Sequence, residues 1–544
     1  MTHHRLAPLL LALLATPVDA AVPGSIHADR IKAEVRTLSS NAFDGRGPGE
    51  AGEARTIAFL SAQMAAIGLS PAGDHDGWTQ DVPLVRLDRQ PGATMTLMLG
   101  GKRQSLALGP DAALTLRNPG AFSLTDAPVV FGGWGVVDPA KGFDAYRGID
   151  LKGKVVLLLA NDPDLEAGRD LGFGGRALDY AGRGAVKTAA ALKAGAAGVI
   201  FLHEAAAYSW PYSQAGNGDL LPSFAVQPQS QSPLGFSAIL RGDIGTALLM
   251  HAGMTLESAK AQARVPGFRA FALPLTTVSV SGTNRATPFV SHNVIGKLVG
   301  ATRPGEAVLY GAHWDANGHN GPDASGDTIR NGAVDNATGT AELLEVARAF
   351  VAGPRPARSV IFAAWTSEEK GLIGSDYYAA HPLFPMARTA AVINLDPHVV
   401  LPASRTLELI GPGQVGLEDD LARIAAAQGQ RLIPEPSPEA GWYFRSDHFP
   451  FAQRGVPAIA FRAGRNLRVG GVAAGQRIVG AYNQRCYHQP CDQFDPRWTF
   501  AGTAQEASAA LALGRMVANA TSWPKWRAGS GYGAIRARSD AERK

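Results

Sequence analysis

The sequence predicts an α/β fold with a mostly parallel central sheet and helices on both faces, accompanied by a smaller β-rich domain. Three observations lead to this expectation. From Asn293 onward, apolar strand-like runs alternate with segments of helical periodicity, the pattern of a parallel sheet covered by helices. From about residue 83 to residue 116, short apolar runs punctuated by Gly and Pro are typical of strands, and further strand-like runs follow at 128–131, 153–159 and 198–202. The chain has 544 residues, which is too many for one ordinary core and favours two or three domains.

The composition is that of a folded protein without a strongly charged face. Hydrophobic residues make up 46% and charged residues 18%, which is enough apolar material for packed cores. Basic residues number 51 and acidic residues 47, so the formal net charge of +4 is a small excess. The composition therefore does not indicate nucleic acid as a partner.

The N-terminus has the pattern of a signal peptide over residues 1–20. A basic start at residues 3–5 precedes a short apolar run at 6–15. We expect cleavage after Ala20 or Ala21 and export to the periplasm or the medium, with an N-terminal core helix as the alternative. The apolar run is too short to span a bilayer and no later run is long enough, so stable membrane insertion is not expected.

Residues 21–125 are expected to contribute helices and strands to the large α/β domain. Helical periodicity covers Ile31–Leu38 and Ala51–Ile67, and the Gly-rich segment 44–49 between them indicates a turn. From about residue 83 to residue 116, short alternating apolar runs indicate strands.

An inserted domain is expected over residues 126–275. Apolar runs at 128–131 and 153–159 indicate buried strands, residues 186–197 have helical spacing, and 198–202 is a further strand. This succession resembles the protease-associated domain of many secreted peptidases.

Residues 285–524 are expected to form most of the large α/β domain. Its predicted strands and helices, in chain order, are 307–312, 333–350, 360–365, 371–380, 390–395, 456–461 and 500–518. Residues 525–544 are rich in Gly, Arg and Ser without periodicity, which predicts a loose tail. Cys486 and Cys491 are the two cysteines, and oxidising conditions after export favour a local disulfide, with two free thiols as the alternative.

Two segments place metal-ligand residue types at the ends of predicted elements. His313 follows a predicted strand, and Asp315 lies two residues further, where it can hold the ring of a metal-bound His through its second nitrogen. Asp335 opens a predicted helix. Ordinary hydrogen bonding for His313 and helix capping for Asp335 are the alternatives.

Three further segments carry carboxylates or an imidazole. Glu368 and Glu369 are adjacent and follow a buried strand, so one acid can bind a metal while the other moves protons. A solvated helix start is the alternative for this pair. Asp396 ends the next predicted strand, and His488 lies in a loop stiffened by Pro490 and the cysteines.

The five segments, in the order His, Asp, Glu-Glu, Asp, His, resemble the co-catalytic zinc peptidases of metallopeptidase family twenty-eight. The resemblance covers Asn293 to about Ser522, and the joint occurrence of five segments is far more specific than any one of them. The family includes bacterial secreted aminopeptidases, glutamate carboxypeptidases and the transferrin receptor ectodomain. The resemblance implies a zinc exopeptidase fold of the phosphorylase/hydrolase-like type, peptide substrates and two zinc ions per chain.

Carried over residue by residue, the resemblance implies a complete ligand set. His313 and Asp396 would bind one zinc ion, Glu369 and His488 would bind the other, and Asp335 would bridge both.

The resemblance also implies the groups that move protons and orient ligands. Glu368 would be the general base, and it would return its proton to the leaving amine. Asp315 would hold His313 in place. The peptide bond between Asp335 and Asn336 would be cis, a form that is costly before residues other than proline.

The expected function is a secreted zinc-dependent exopeptidase, with an aminopeptidase that releases N-terminal residues as the first expectation. A carboxypeptidase of the same family is the alternative, and it would need a cation for the substrate carboxylate, such as Arg445, Arg462 or Arg465. Two further alternatives are a glutaminyl cyclase with one zinc and a receptor-like protein without metal. The intact ligand set and the presence of Glu368 argue against both. The sequence leaves the oligomeric state open.

Lesser candidates surround the expected site. Tyr443 could donate its hydroxyl to a developing oxyanion, and Trp442 could belong to a substrate pocket. His398 could line the site or cap a turn. The segment 446–449 resembles a family segment near the active site, and we expect its residues to be core or pocket wall first.

Overall fold

The computed structural model describes residues 24–208, 210–219, 221–228, 232–323, 325–397 and 399–543. The expected signal peptide and His398 lie outside these residues. Within them, no helix combines the length and the apolar character needed to cross a membrane.

A mixed sheet forms the centre of the larger structural unit. In spatial order, its strands are Thr79–Arg89, Phe271–Leu298, Arg358–Trp365, Arg303–His313, Thr389–Asn394, Ala458–Ala463, Thr406–Leu409 and Arg431–Pro434. The four strands from Arg358–Trp365 to Ala458–Ala463 are parallel, and antiparallel neighbours flank them. Because the carboxyl ends of parallel strands meet at one edge, the residues after His313, Trp365 and Asn394 come together there.

Helices cover both faces of this sheet, as the sequence predicts. Phe362 packs against Phe350 of one helix, while Trp365 of the same strand packs against Tyr378 and Phe451 of two others. Side chains alternate along a strand, so these contacts lie on opposite faces. The helices of this unit are Ala28–Leu38, Ala51–Ile67, Gly339–Ala352, Ile373–Ala380, Leu417–Ala427, Phe449–Gln453, Gly471–Arg485, Ala501–Asn519 and Gly533–Ala537.

The smaller unit is rich in strands and has its own apolar core. Its strands are Thr94–Leu99, Lys102–Leu106, Ala112–Leu116, Gly120–Phe131, Val155–Leu159, Gly198–Leu202 and Phe236–Leu240, together with the first half of Phe271–Leu298. Its helices are Gly184–Lys193, Ala205–Tyr208, Tyr212–Asn217, Gly242–His251 and Leu256–Ala263. Short strands elsewhere are Ser70–Pro71, Val137–Asp138, Phe143–Asp144, Ser223–Val226, Gly318–His319 and Ile329–Arg330.

The smaller unit begins earlier than residue 126, the boundary expected from the sequence. Strand Thr94–Leu99 pairs with the first half of Phe271–Leu298, and Met95 and Leu114 share an apolar core with Leu157. The N-terminal strands therefore divide between the two units, because pairing with a distant strand decides which core they join. The long strand Phe271–Leu298 pairs with strands of both units and joins them into one continuous sheet.

The expectation of a loose tail over residues 525–544 is wrong. The Trp526 ring is buried, and its Nε1 donates to the Gly455 carbonyl at 2.8 Å. Arg536 donates to the Thr389 carbonyl at 2.8 Å. These two long side chains dock a segment that has no regular periodicity, which is why its sequence pattern resembles a disordered tail.

Most predicted elements agree with the structure to within a few residues, with one informative exception. The predicted helix 333–350 begins at Gly339, because residues 333–338 form a tight turn around Asp335. Cys486 and Cys491 form a disulfide, as favoured from the sequence.

Candidate metal centre

Five side chains from separate elements meet at the carboxyl edge of the parallel strands. His313 Nε2 lies 3.2 Å from Asp335 Oδ1 and 3.8 Å from Asp396 Oδ1. His488 Nε2 lies 3.2 Å from Asp335 Oδ2 and 3.0 Å from Glu369 Oε2. Each oxygen of Asp335 thus faces a different imidazole. The result is two adjacent triads that share Asp335.

The donor set fits zinc. Imidazole nitrogens and carboxylate oxygens are the ligands that zinc takes in catalytic sites, and two metals can share one bridging carboxylate. His313 is buried, and its Nε2 makes no hydrogen bond within the described residues although Asp335 lies close by. A buried ring nitrogen that faces carboxylates without a hydrogen bond suits a shared cation.

Asp315 links the His313 strand end to the acidic turn. Its main-chain oxygen lies 3.1 Å from His313 Nδ1, whereas its carboxylate lies at 3.6 Å. That carboxylate accepts the main-chain N–H groups of Glu368 at 3.1 Å and Glu369 at 3.4 Å. Asp315 is therefore placed to orient both the imidazole, through its backbone, and the two glutamates, through its side chain.

Asp492 holds the turn that carries Asp335, and sequence reasoning missed this role. Its carboxylate accepts the N–H groups of Val334 at 2.9 Å and Asp335 at 3.1 Å, and the hydroxyl of Tyr482 at 3.1 Å. Burial raises the pKa of Asp492 to about 7. The bond between Asp335 and Asn336 is cis, as the resemblance implied. Asp492 is the last residue of the segment 487–492, which contains His488. That segment was therefore the part of the sequence that could have indicated a role for Asp492.

Ser446 positions Asp396. Its hydroxyl donates to Asp396 Oδ2, and the Asn394 side-chain amide donates to the Ser446 oxygen at 2.7 Å. The neighbouring Asp447 accepts the Ser375 hydroxyl at 2.5 Å, and burial raises its pKa to about 7. The segment 446–449 thus forms buried wall beside the centre.

Glu368 lies within the same cluster. Its Oε2 is 3.8 Å from His313 Nε2, and its side chain is 11% exposed. Burial raises the pKa of Glu368 well above its ordinary value, against the positive charge of His313. A carboxyl group that holds a proton readily at this position suits general acid–base work.

A cavity opens beside the cluster, and some of the candidate pocket residues line it while others do not. Trp442 and Tyr487 line this cavity together with Glu368. Tyr443 instead packs its ring against Phe449 and other buried side chains, so its predicted oxyanion role has no support from its position. Tyr487 does line the cavity, and its hydroxyl oxygen accepts a hydrogen bond from Arg445 Nη2 at 3.1 Å.

Arg46 fastens the loops behind the centre. The side chain is 1% exposed and donates to the carbonyl oxygens of Leu38, Trp314, Asn331 and Gly332 over 2.6–2.8 Å. Burial lowers the pKa of Arg46 to about 10, while nearby carboxylates oppose the shift. The sequence indicated a turn at 44–49 but not this role.

Arg46→Met should lower the free energy of unfolding by about 3–5 kcal/mol, since four carbonyl oxygens would lose a charged donor. Urea unfolding followed by circular dichroism would measure the change. Arg355→Met, at an exposed position, is the matched control and should have little effect. A loss below about 1 kcal/mol in Arg46→Met would contradict the bracing role.

Comparison with known proteins agrees with this geometry. Residues 293–512 match the model of peptidase family M28. Aminopeptidase NAALADL1 of Mus musculus is 38% identical over 163 residues, 26% of this chain and 20% of that protein. Leupeptin-inactivating enzyme 1 of Streptomyces exfoliatus is 29% identical over 231 residues, 40% of this chain and 46% of that protein. The chain thus spans less than half the length of these curated relatives.

One solved structure extends the likeness to the whole fold. The aminopeptidase from Aneurinibacillus sp. strain AM-1 superposes with a TM-score of 0.55 and 18% identity, over 92% of this chain and 95% of that chain. At this identity the likeness shows a shared fold. The family match itself is confined to residues 293–512, which carry a domain that matches peptidase family M28.

Proposed function

We propose that this protein is a zinc-dependent exopeptidase that binds two zinc ions and releases residues from the N-terminus of peptides. The observation that carries the proposal is the pair of triads sharing Asp335. The matched relatives include proteins named as aminopeptidases, which supports the N-terminal direction of cleavage.

The ligand assignment follows the two triads. His313, Asp335 and Asp396 would hold one ion, and Asp335, Glu369 and His488 the other. When bound, zinc ions at such a site supply Lewis-acid polarisation of the scissile carbonyl.

The protein's own groups would carry the proton transfers. The Glu368 carboxylate takes a proton from the attacking water and then donates it to the leaving amine, so one group serves as base and then as acid. Its position within the cluster, with Oε2 3.8 Å from His313 Nε2, supports this role. Tyr487 lines the same cavity, and we propose that its hydroxyl donates to the oxyanion that develops on the substrate carbonyl.

Hydrolysis of free and blocked substrates tests the proposal. Purified mature protein should cleave aminoacyl-p-nitroanilides, lose activity on chelation, and contain two zinc ions per chain by elemental analysis. N-acetylated versions of the same substrates should resist cleavage, because an aminopeptidase requires the free amine. Cleavage of N-blocked peptides from the carboxyl end alone would move the assignment to a carboxypeptidase.

We also propose that the smaller unit is the inserted protease-associated domain and that it shapes access to the centre. Its Asn161 donates to the Glu439 carbonyl at 2.8 Å, and its Arg183 donates to the Phe444 carbonyl at 3.2 Å. These contacts hold the segment that carries Trp442. The double variant Asn161→Ala/Arg183→Ala should change the ratio of activity on long and short peptides. An unchanged ratio would argue against the role.

Export through residues 1–20 belongs to the same proposal. The disulfide between Cys486 and Cys491 is consistent with an oxidising compartment. N-terminal sequencing of the protein recovered from periplasm or medium should find the mature chain starting near Ala21. A retained Met1 would contradict processing.

A further inference from the structure

The cavity beside the candidate metal centre contains two arginines. Its lining includes the acidic residues Glu368 and Asp396 as well as Arg445 and Arg462. The guanidinium carbons of the two arginines lie 4.6 Å and 5.6 Å from the Trp442 ring centre, so this ring brings both cations to one wall.

The charge of Arg462 is only partly compensated within the protein. The side chain is 8% exposed, and its Nε donates to Glu408 Oε2 at 3.3 Å. Glu408 also forms an ion pair with Arg465, whose Nε lies 3.5 Å from the other carboxylate oxygen. Two guanidiniums thus share one carboxylate. The Nη2 of Arg462 is buried and makes no hydrogen bond to any described residue. A buried guanidinium in this state favours an additional acceptor.

Of two other carboxyl groups near Arg462, that of Glu506 adds little negative charge. Burial raises the pKa of Glu506 to about 8 and that of Glu435 to about 6. One oxygen of each already accepts a main-chain N–H, from Ala463 and Gly411 respectively. At neutral pH Glu506 is mostly protonated and Glu435 is mostly ionised. The carboxylates of Glu408 and Glu435 thus stand against three guanidiniums, those of Arg445, Arg462 and Arg465.

The cavity also limits the size of an occupant. Its volume is about 50 Å³, which corresponds to a few water molecules and thus to a short side chain. A carboxylate suits the arginines, since a planar guanidinium binds two carboxylate oxygens at once. The carboxylates of Asp335 and Asp396 would repel such a group, but their charge is neutralised when metal ions occupy the centre.

We propose that this cavity receives the carboxylate of an N-terminal Glu or Asp side chain, with Arg462 as its main partner and Arg445 in support. The inference rests on the proposed exopeptidase function and adds its substrate class. The protein is then an aminopeptidase selective for acidic N-terminal residues. A Gln or Asn side chain of the same shape binds less well, because it leaves the guanidinium charge uncompensated.

The wild-type enzyme alone provides the first test. Glu-p-nitroanilide should have a kcat/KM at least about tenfold above that of Gln-p-nitroanilide, the usual scale for a charged hydrogen-bonded contact. Most of the difference should lie in KM if the carboxylate contact forms equally in ground and transition states. Because both substrates are tested on unmodified protein, the comparison does not depend on how any variant folds.

Variants then assign the contact to Arg462. Arg462→Gln should reduce the Glu/Gln ratio about tenfold, and Arg462→Lys should retain part of it because the charge remains. Arg454→Gln, whose guanidinium pairs with the exposed Asp376, is the matched control and should keep the wild-type ratio. Circular dichroism verifies that each variant is folded.

The outcomes separate this inference from the proposed function. Ready cleavage of Gln- and Leu-p-nitroanilides with a Glu/Gln ratio near one overturns the acidic preference and leaves an aminopeptidase. A wild-type ratio that Arg462→Gln does not change overturns the assignment to Arg462. Cleavage only of N-blocked peptides from the carboxyl end places the carboxylate at the C-terminus of the substrate, and it overturns both proposals. Failure to cleave any peptide overturns the proposed function itself.

Discussion

Glu368→Gln should lower kcat by about 10²–10⁴-fold while leaving the zinc content at the wild-type value. The amide keeps the shape of the side chain but cannot take a proton from water. Because neither triad includes Glu368, the donor set for the metals stays complete. Steady-state kinetics on an aminoacyl-p-nitroanilide, with elemental analysis of the same preparation, measures both quantities.

The matched control for this change is Glu257→Gln, an exposed glutamate on helix Leu256–Ala263 of the smaller unit. It should retain wild-type kcat. A Glu368→Gln variant that keeps more than about a tenth of the wild-type kcat would rule out the acid–base role, since such catalysis contributes at least about 10²-fold. Loss of zinc in that variant would instead point to a structural role for Glu368.

Asp335→Ala should remove both zinc ions and reduce activity to background. Each of its carboxylate oxygens faces a different imidazole, so the substitution takes one donor from each triad. The remaining carboxylates cannot bridge the two positions. Elemental analysis after dialysis gives the metal content, and melting curves with and without added zinc show whether binding still stabilises the fold.

Asp243→Ala is the control for this second change, because its carboxylate is exposed in the smaller unit. It should keep two ions per chain and full zinc-dependent stabilisation. If Asp335→Ala still binds two ions with wild-type stabilisation, the shared-ligand arrangement is wrong. Retention of a single ion would show that one triad binds without the bridge.

The candidate site could be predicted to a large extent because its residues follow predictable strands. His313 and Asp396 come at or just after the ends of parallel strands, and Glu369 follows a third. Parallel strands bring such positions to one edge, which is why residues at several strand ends were candidates for one site. Asp335 and His488 joined the expected cluster through the resemblance. The resemblance then assigned roles that local pattern left open between ligand and ordinary hydrogen bonding.

The supporting residues could not be predicted in the same way. Arg46 reaches Asn331 from 285 positions away, and Asp492 holds Val334 from 158 positions away. Neither residue lies in a pattern whose period marks it as buried. Their importance follows from burial and unpaired backbone groups, which arise only when distant segments pack together.

Tyr443 illustrates how adjacency in sequence misleads. It neighbours Trp442, which lines the cavity, yet the turn after Gly441 directs its ring into an apolar cluster. Tyr487, which lies much further along the chain, lines the cavity instead. Within a tight turn, successive side chains point in different directions, and the direction depends on backbone angles that composition does not reveal.

The sequence by itself determined the α/β class, the positions of most strands and helices, and the residues that form the two triads. The class and the elements depend on local periodicity and on the rule that parallel strands align their carboxyl ends, whereas the residues of the triads were implied by the resemblance to a known family. The tertiary structure alone decided that residues from Thr94 join the smaller core, that residues 525–543 dock on the domain, and that Arg462 lies beside the centre. Those features depend on which distant surfaces bury one another, and the free energy of that burial comes from contacts that no local pattern records.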